Sequence, residues 1–155
     1  MMDRGALWRG ATAGFVAAGA MSMLRLGAHR LGLIDRMVPQ ELHADLTGID
    51  PSADRPDHQF AAELLHHAVG AAGGALMAAV APRRPRITHG LALGLGLWAV
   101  DVIALLPALR VARVGGHLVD FVAHALYGAM VAVGAGELAT QRHTASVRAR
   151  LRRVG

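Results

Sequence analysis

Residues 10–24 read GATAGFVAAGAMSML, and no charged side chain interrupts them before Arg25. Glycine, alanine and methionine fill most positions, and no polar stripe recurs at the 3.6-residue period of a soluble surface helix. Such a segment suits hydrocarbon, where small residues let helix backbones approach closely. Extending it to its flanks gives a first apolar block over about 10–34, and three more follow over about 59–81, 90–109 and 117–138. Each holds about 20 residues, the length that crosses about 30 Å of hydrocarbon at 1.5 Å per residue. Proline is kept to the edges, at Pro82, Pro85 and Pro107. The expected fold is all-α, a single membrane domain over 1–155 with four transmembrane helices. Arg4 and Arg9 before an apolar run, with Ala18-Gly19-Ala20 behind, also resemble a secretory signal. The glycine spacing of this block returns later in the chain, which favours a retained helix.

Composition points the same way. Of 155 residues 54% are apolar and 17% charged, against about 45–50% and about 25% in soluble domains. Mean hydropathy is +0.37. The net charge of +5 would suit a nucleic-acid partner, but aromatics at 4% supply no stacking platform. With no cysteine there is no disulfide framework, thiolate zinc site or thiol nucleophile. All 16 basic residues are arginine, which excludes Schiff-base lysine chemistry and a Walker-type lysine. The glycines from Gly90 to Gly96 lie inside an apolar block and read as packing positions, not as a phosphate cradle. Ser22 is the only serine within a span, so no Ser–His–Asp set is credible.

Arginine counts orient the helices. Arg4, Arg9, Arg83, Arg84, Arg86, Arg142, Arg148, Arg150, Arg152 and Arg153 flank one side, and Arg30, Arg36, Arg55, Arg110 and Arg113 the other. Both termini are therefore expected on the cytoplasmic side, with an external loop over 35–57 and an Arg-rich tail over 140–155. Pro39, Pro51 and Pro56 disfavour a long helix in that loop, although a short one fits around Pro39–Leu46. The tail fits either an amphipathic surface helix or a bare topology signal.

The two halves resemble each other. Gly10 and Gly14 open the first helix as Gly90 and Gly94 open the third. Glu63 and His67 followed by Gly70 and Gly74 in the second match Asp120 and His124 followed by Gly128 in the fourth. This predicts two similar helical hairpins, packed through Gly10, Gly14, Gly70, Gly74, Gly90, Gly94 and Gly128. A four-residue spacing puts each acid and its imidazole on one face. With helical rise, Arg25, Glu63, His67, Asp101, Asp120 and His124 all fall in the outer half of the bilayer. Charges there are costly alone, so they should face inward and pair. Met21, Met23, Met77 and Met130 read as core filler, Trp8 as an interfacial anchor, and Trp98 as lipid-facing or packed.

Several chemistries suit such a cluster. Three carboxylates outnumber the one arginine, and histidine titrates near neutrality, which fits a proton or cation site. Mixed ligation of a divalent metal would draw on Glu63, His66, His67 and His124. Haem b would use His67 and His124 as axial ligands, with Gly70 and Gly128 leaving room for the porphyrin. A purely structural network that fixes helix register, as in an accessory subunit of a larger complex, needs no chemistry at all. Nothing in the spacing makes the protein an enzyme. The lipid bilayer is the implied partner, and four short helices leave so little room for a pathway that transport would favour a homo-oligomer.

Ala13-Gly14-Phe15-Val16, then Leu24-Arg25-Leu26-Gly27-Ala28 and Pro39, resembles the YagU-like inner-membrane proteins. The Pro82, Gly90, Gly94 and Pro107 series and the step from His124 to Tyr127 fit the same pattern. The resemblance implies a four-helix protein of the bacterial inner membrane with no established activity, so no catalytic residue is carried over. His29 stands where that family tends to have an acid.

Overall fold

The computed structural model describes residues 3–34, 43, 46–48, 56–81, 85–105 and 116–151, with side chains described to residue 103 on the third helix and 136 on the fourth. Every regular element among these residues is helical. Helix α1 spans Arg4–Arg30, α2 Pro56–Val80, α3 Ile87–Val100 and α4 His117–Leu151, and a π-helical turn over Asp101–Leu105 continues α3. Most of the expected external loop lies outside the described residues, as do Arg83, Arg84 and Pro107 and the side chains of the Arg-rich tail. Within that loop His43, Leu46 and Thr47 are helical, and the Thr47 hydroxyl donates to the His43 carbonyl at 2.7 Å.

Local chemistry sets the helix ends. Helix α1 starts six residues before the apolar block because the Asp3 carboxylate accepts the Gly5 N–H at 2.8 Å. It stops short of Ile34 in a Schellman motif. Gly32 takes φ +69°, its N–H reaches the His29 carbonyl at 2.9 Å, and the Leu33 N–H reaches Ala28 at 2.9 Å. Pro56 opens α2, where its missing N–H costs nothing. At the start of α3 the His89 imidazole accepts the Arg86 N–H at 3.1 Å. Helix α4 does not end near residue 138 but runs unbroken for 35 residues, about 52 Å.

Two of these helices, Arg4–Arg30 and the part of α4 from His117 to Gly136, are long and apolar enough to cross a membrane, and Ile87–Ile103 is a shorter apolar helix. Helix α2 is less apolar than the expectation of four equal spans requires, because Asp57, His58, Gln59, Glu63, His66 and His67 crowd its first half.

Packing is built on glycine. A β-carbon at Gly10 would strike the Gly74 carbonyl oxygen, and one at Gly14 the Gly70 oxygen. The second hairpin repeats the device, with Gly90 against Gly128 and Gly94 against His124. Backbone thus lies on backbone, close enough for Cα–H···O contacts. Superposing the two sets of contacts makes α1 residues equivalent to α3 residues 80 positions later, and α2 residues to α4 residues 54 positions later. By that register His66, not Glu63, stands where Asp120 does, so the acid–histidine motifs of the two halves sit about one turn apart.

The hairpins join chiefly through α1 and α4. Alanine makes that possible: Ala17 and Ala123 are fully buried, and a β-carbon at Gly134 would meet that of Ala13 at 3.0 Å. On the opposite seam Leu93 and Leu97 of α3 stand where α1 has Ala13 and Ala17, and they hold α2 and α3 further apart. Met77, Tyr127 and Val131 complete that core. The interior is consequently small and the exterior large. Phe60, Leu64, Val69 and Val80 on α2, Val100 and Ile103 on α3, and Leu118 and Val133 on α4 are all exposed. Met23, expected in the core, is 69% exposed, because two residues, about 200° of helix, separate it from the buried face at Met21. Trp98 packs edge-on against Phe121 with ring centroids 5.3 Å apart.

Gly14→Leu and Gly90→Leu should each lower stability by about 3 kcal/mol or more through overpacking. Gly96→Ala, which meets nothing within 4 Å, should be neutral or slightly stabilising; thermal unfolding in detergent ranks the three. The Gly5 N–H holds the Asp3 carboxyl below its ordinary 3.8. A depressed folded-state value means that the cap acts above the unfolded pKa and is lost as pH falls through the folded one. Amide exchange at Gly5 should accordingly accelerate in acid, and Asp3→Asn should abolish that acceleration.

Candidate functional site

The ionisable side chains of all four helices meet at one level of the bundle, the end where α1 and α3 finish and α2 and α4 begin. Arg25, Asp120, His124 and Asp101 link into one chain there, while Glu63 and His67 bond outside it. Arg25, 3% exposed, is carried inward by the same α1 face as Gly14, Ala18 and Met21. Its Nη2 and Nε lie 2.9 Å and 3.0 Å from Asp120 Oδ1 on α4. Glu63 does not join this pair; its Oε2 accepts the Ser22 hydroxyl at 2.7 Å, tying α2 to α1. Ser22, set aside in the sequence as catalytically isolated, has this structural role. Its signal was a lone hydroxyl one turn before Arg25, which in an apolar span requires a partner.

The two histidines of the repeated motif make the same bond. His67 Nδ1 and His124 Nδ1 each lie 2.8 Å from the carbonyl oxygen four residues earlier, those of Glu63 and Asp120. A carbonyl only accepts, so each Nδ1 carries hydrogen. The environments then diverge. The His67 ring stacks at a tilt on Phe15, centroids 4.7 Å apart, and its Nδ1 is 3.8 Å from the Glu63 carboxylate. His124, 6% exposed, turns Nε2 toward Asp101 Oδ2 on α3 at 3.0 Å.

That last contact constrains protonation. With Nδ1 already donating, a neutral His124 offers a lone pair at Nε2, and an ionised Asp101 offers only acceptors. At 3.0 Å the pair therefore holds one proton, as imidazolium and carboxylate or as imidazole and carboxylic acid. Arg25, Asp120, His124 and Asp101 form a continuous chain across α1, α4 and α3, since the Asp120 carbonyl receives His124 while its carboxylate receives Arg25. His66 borders it from α2, bonded to the Ala18 backbone and within electrostatic reach of Arg25 and His124. Its Nε2 is buried without a hydrogen-bond partner. Tyr127, one turn below His124, donates its hydroxyl to the Gly70 carbonyl at 2.6 Å and bridges the two hairpins.

The donor sets for metal and haem are less well served. Among the described residues no group of three or more histidine, aspartate or glutamate side chains is gathered for a metal ion. Both ring nitrogens of His124 are committed, so neither is free for haem iron. Gly70 and Gly128 leave no room for a porphyrin either, because Gly14 and Ala18 fill the space beside the first and Gly90 the space beside the second.

Arg25→Leu leaves the half-buried Asp120 unpaired and should cost about 3 kcal/mol, whereas the double change R25L/D120L should recover most of the loss. Unfolding of the two single variants and the double variant completes the cycle that checks this.

No curated protein and no solved structure matches the chain. A family model does, over residues 5–146, which takes in all of α2 and α3 and nearly all of α1 and α4. Its description is "Family of unknown function (DUF6789)", and it adds no support to kinship with the YagU-like proteins. By this match the chain belongs to DUF6789, a family of unknown function.

Proposed function

We propose that the protein is a four-span membrane protein of the bacterial inner membrane, with both termini cytoplasmic, and that it binds and passes protons at the Asp101–His124 pair. Support for the membrane setting is the inversion of side-chain size, with alanine and glycine inside and leucine, valine and phenylalanine outside. A soluble bundle has no reason to expose such a belt, whereas lipid solvates it. Helix α2 then crosses with its polar first half toward the bundle and the outer surface. The arginine asymmetry of the flanks supports the orientation. Kinship with the YagU-like proteins, and assembly as a homo-oligomer or within a larger complex, belong to the same proposal.

The observation that carries the proton assignment is the 3.0 Å approach of His124 Nε2 to Asp101 Oδ2 with Nδ1 already donating. His124 is buried while the Asp101 side chain is 35% exposed, so the pair joins the interior to its surroundings, and titratable groups in membrane helices commonly mark proton relays. A cation in place of the proton would need more oxygen ligands than Asp101 supplies.

The test is proton flux into proteoliposomes under an imposed pH gradient. Asp101→Asn should reduce the flux at least tenfold with insertion unchanged, and Glu63→Gln should have a smaller effect, since Glu63 is bonded to Ser22. Wild-type flux in Asp101→Asn would sink the assignment.

A further inference from the structure

Asp101 has a second distinction. It is the residue at which α3 changes from α-helical to π-helical geometry, and the π turn runs over Asp101–Leu105. A π turn is an α-helix holding one residue too many, and such turns are uncommon and concentrated at functional sites. Below it, α3 is anchored by Gly90 against Gly128 and Gly94 against His124. The Asp101 N–H still reaches the Leu97 and Trp98 carbonyls, so the helix is regular up to that point. What holds the turn from the other side is the Asp101 carboxylate on His124.

We propose that the Asp101–His124 pair is a proton-operated latch on this π turn. With the shared proton present, Asp101 is pinned to α4 and the turn is held. When the proton leaves, the His124 lone pair and the Asp101 carboxylate oppose each other at 3.0 Å, the contact opens, and the turn relaxes to α-helix. Removing one residue from a helix turns everything beyond it by about 100° and shifts it by about 1.5 Å. The part that moves is residues 102–105, because the anchored half of α3 cannot. The groups facing His124 from each helix are Arg25 from α1, His66 from α2, Asp101 from α3 and Asp120 on α4 itself. Arg25 is already committed to Asp120, so loss of the proton has no other cation at hand to repair the Asp101 contact. The latch rests on the proton assignment made above and adds a moving part to it.

The chain has no cysteine, so two spin labels can be placed cleanly by Ile103→Cys and Leu118→Cys, both at exposed positions, 75% and 74%. In lipid nanodiscs the distance between them should change by about 5–8 Å, the displacement of a side chain at the helix rim on a 100° turn. The change should coincide with the titration of His124 followed by nitrogen NMR. Asp101→Asn should hold the low-pH distance at every pH, because its amide donates to His124 Nε2 without a titrating proton. His124→Gln, donating to the Asp101 carboxylate, should do the same and covers the case in which the first variant fails to fold. A His124 titration with no change in distance would overturn the latch and leave the proton pair standing. A change that persists in Asp101→Asn or His124→Gln would also overturn it. An absence of titration at both the His124 nitrogens and the Asp101 carboxyl carbon would remove the proton pair and the latch together.

Discussion

The carbonyl oxygens of Gly74 and Gly128 occupy the space that a β-carbon would take at Gly10 and Gly90, and the spacing of the remaining helices follows from these contacts. In the lipid setting proposed for this bundle, burying one apolar surface against another gains little, because the surroundings are equally apolar. Close backbone approach, with its dispersion and weak Cα–H···O bonds, is what remains to hold helices together. The chain uses it twice, once in each hairpin. The hairpins then join through alanine between α1 and α4, while Leu93, Leu97 and Tyr127 fill the wider seam between α2 and α3.

The location of the charges is a consequence. Backbone contact at Gly10 and Gly14 leaves no room for a guanidinium or an imidazole between those turns. The ionisable groups lie beyond the glycines, toward the end where α1 and α3 finish. There each charge has its own solution. Arg25 neutralises Asp120, Ser22 solvates Glu63, and His124 turns Nε2 toward Asp101.

Much of this is legible in the residues. The Gly10, Gly14, Gly90 and Gly94 spacing marks the faces that pack, and helical rise alone brings Arg25, Glu63, Asp101 and Asp120 to one depth. Pairing within that layer is not legible. Which carboxylate meets Arg25 depends on how far α1 is rotated against α4, and sequence periodicity fixes a face only to about one residue. The repeat misleads for a related reason: Glu63 and Asp120 align in sequence, but the glycine contacts place His66 opposite Asp120's position. Nor do apolar blocks report where a helix stops. Asp3 and Gly32 decide that for α1, while α4 continues through polar sequence because no glycine or proline occurs from Glu137 to Leu151.

The reversal of side-chain size between inside and outside also governs how such a sequence drifts over evolutionary time. In a water-soluble domain the bulky core resists change and the polar surface varies. Here a leucine, valine or isoleucine on the exposed face exchanges with little consequence, while Gly10, Gly14, Gly74, Gly90, Gly94 and Gly128 are each fixed by a neighbouring carbonyl. The lasting signature of the lineage is therefore a sparse ladder of small residues and a few charges. Between those rungs the chain is free to lose all resemblance to its ancestors while keeping the same bundle.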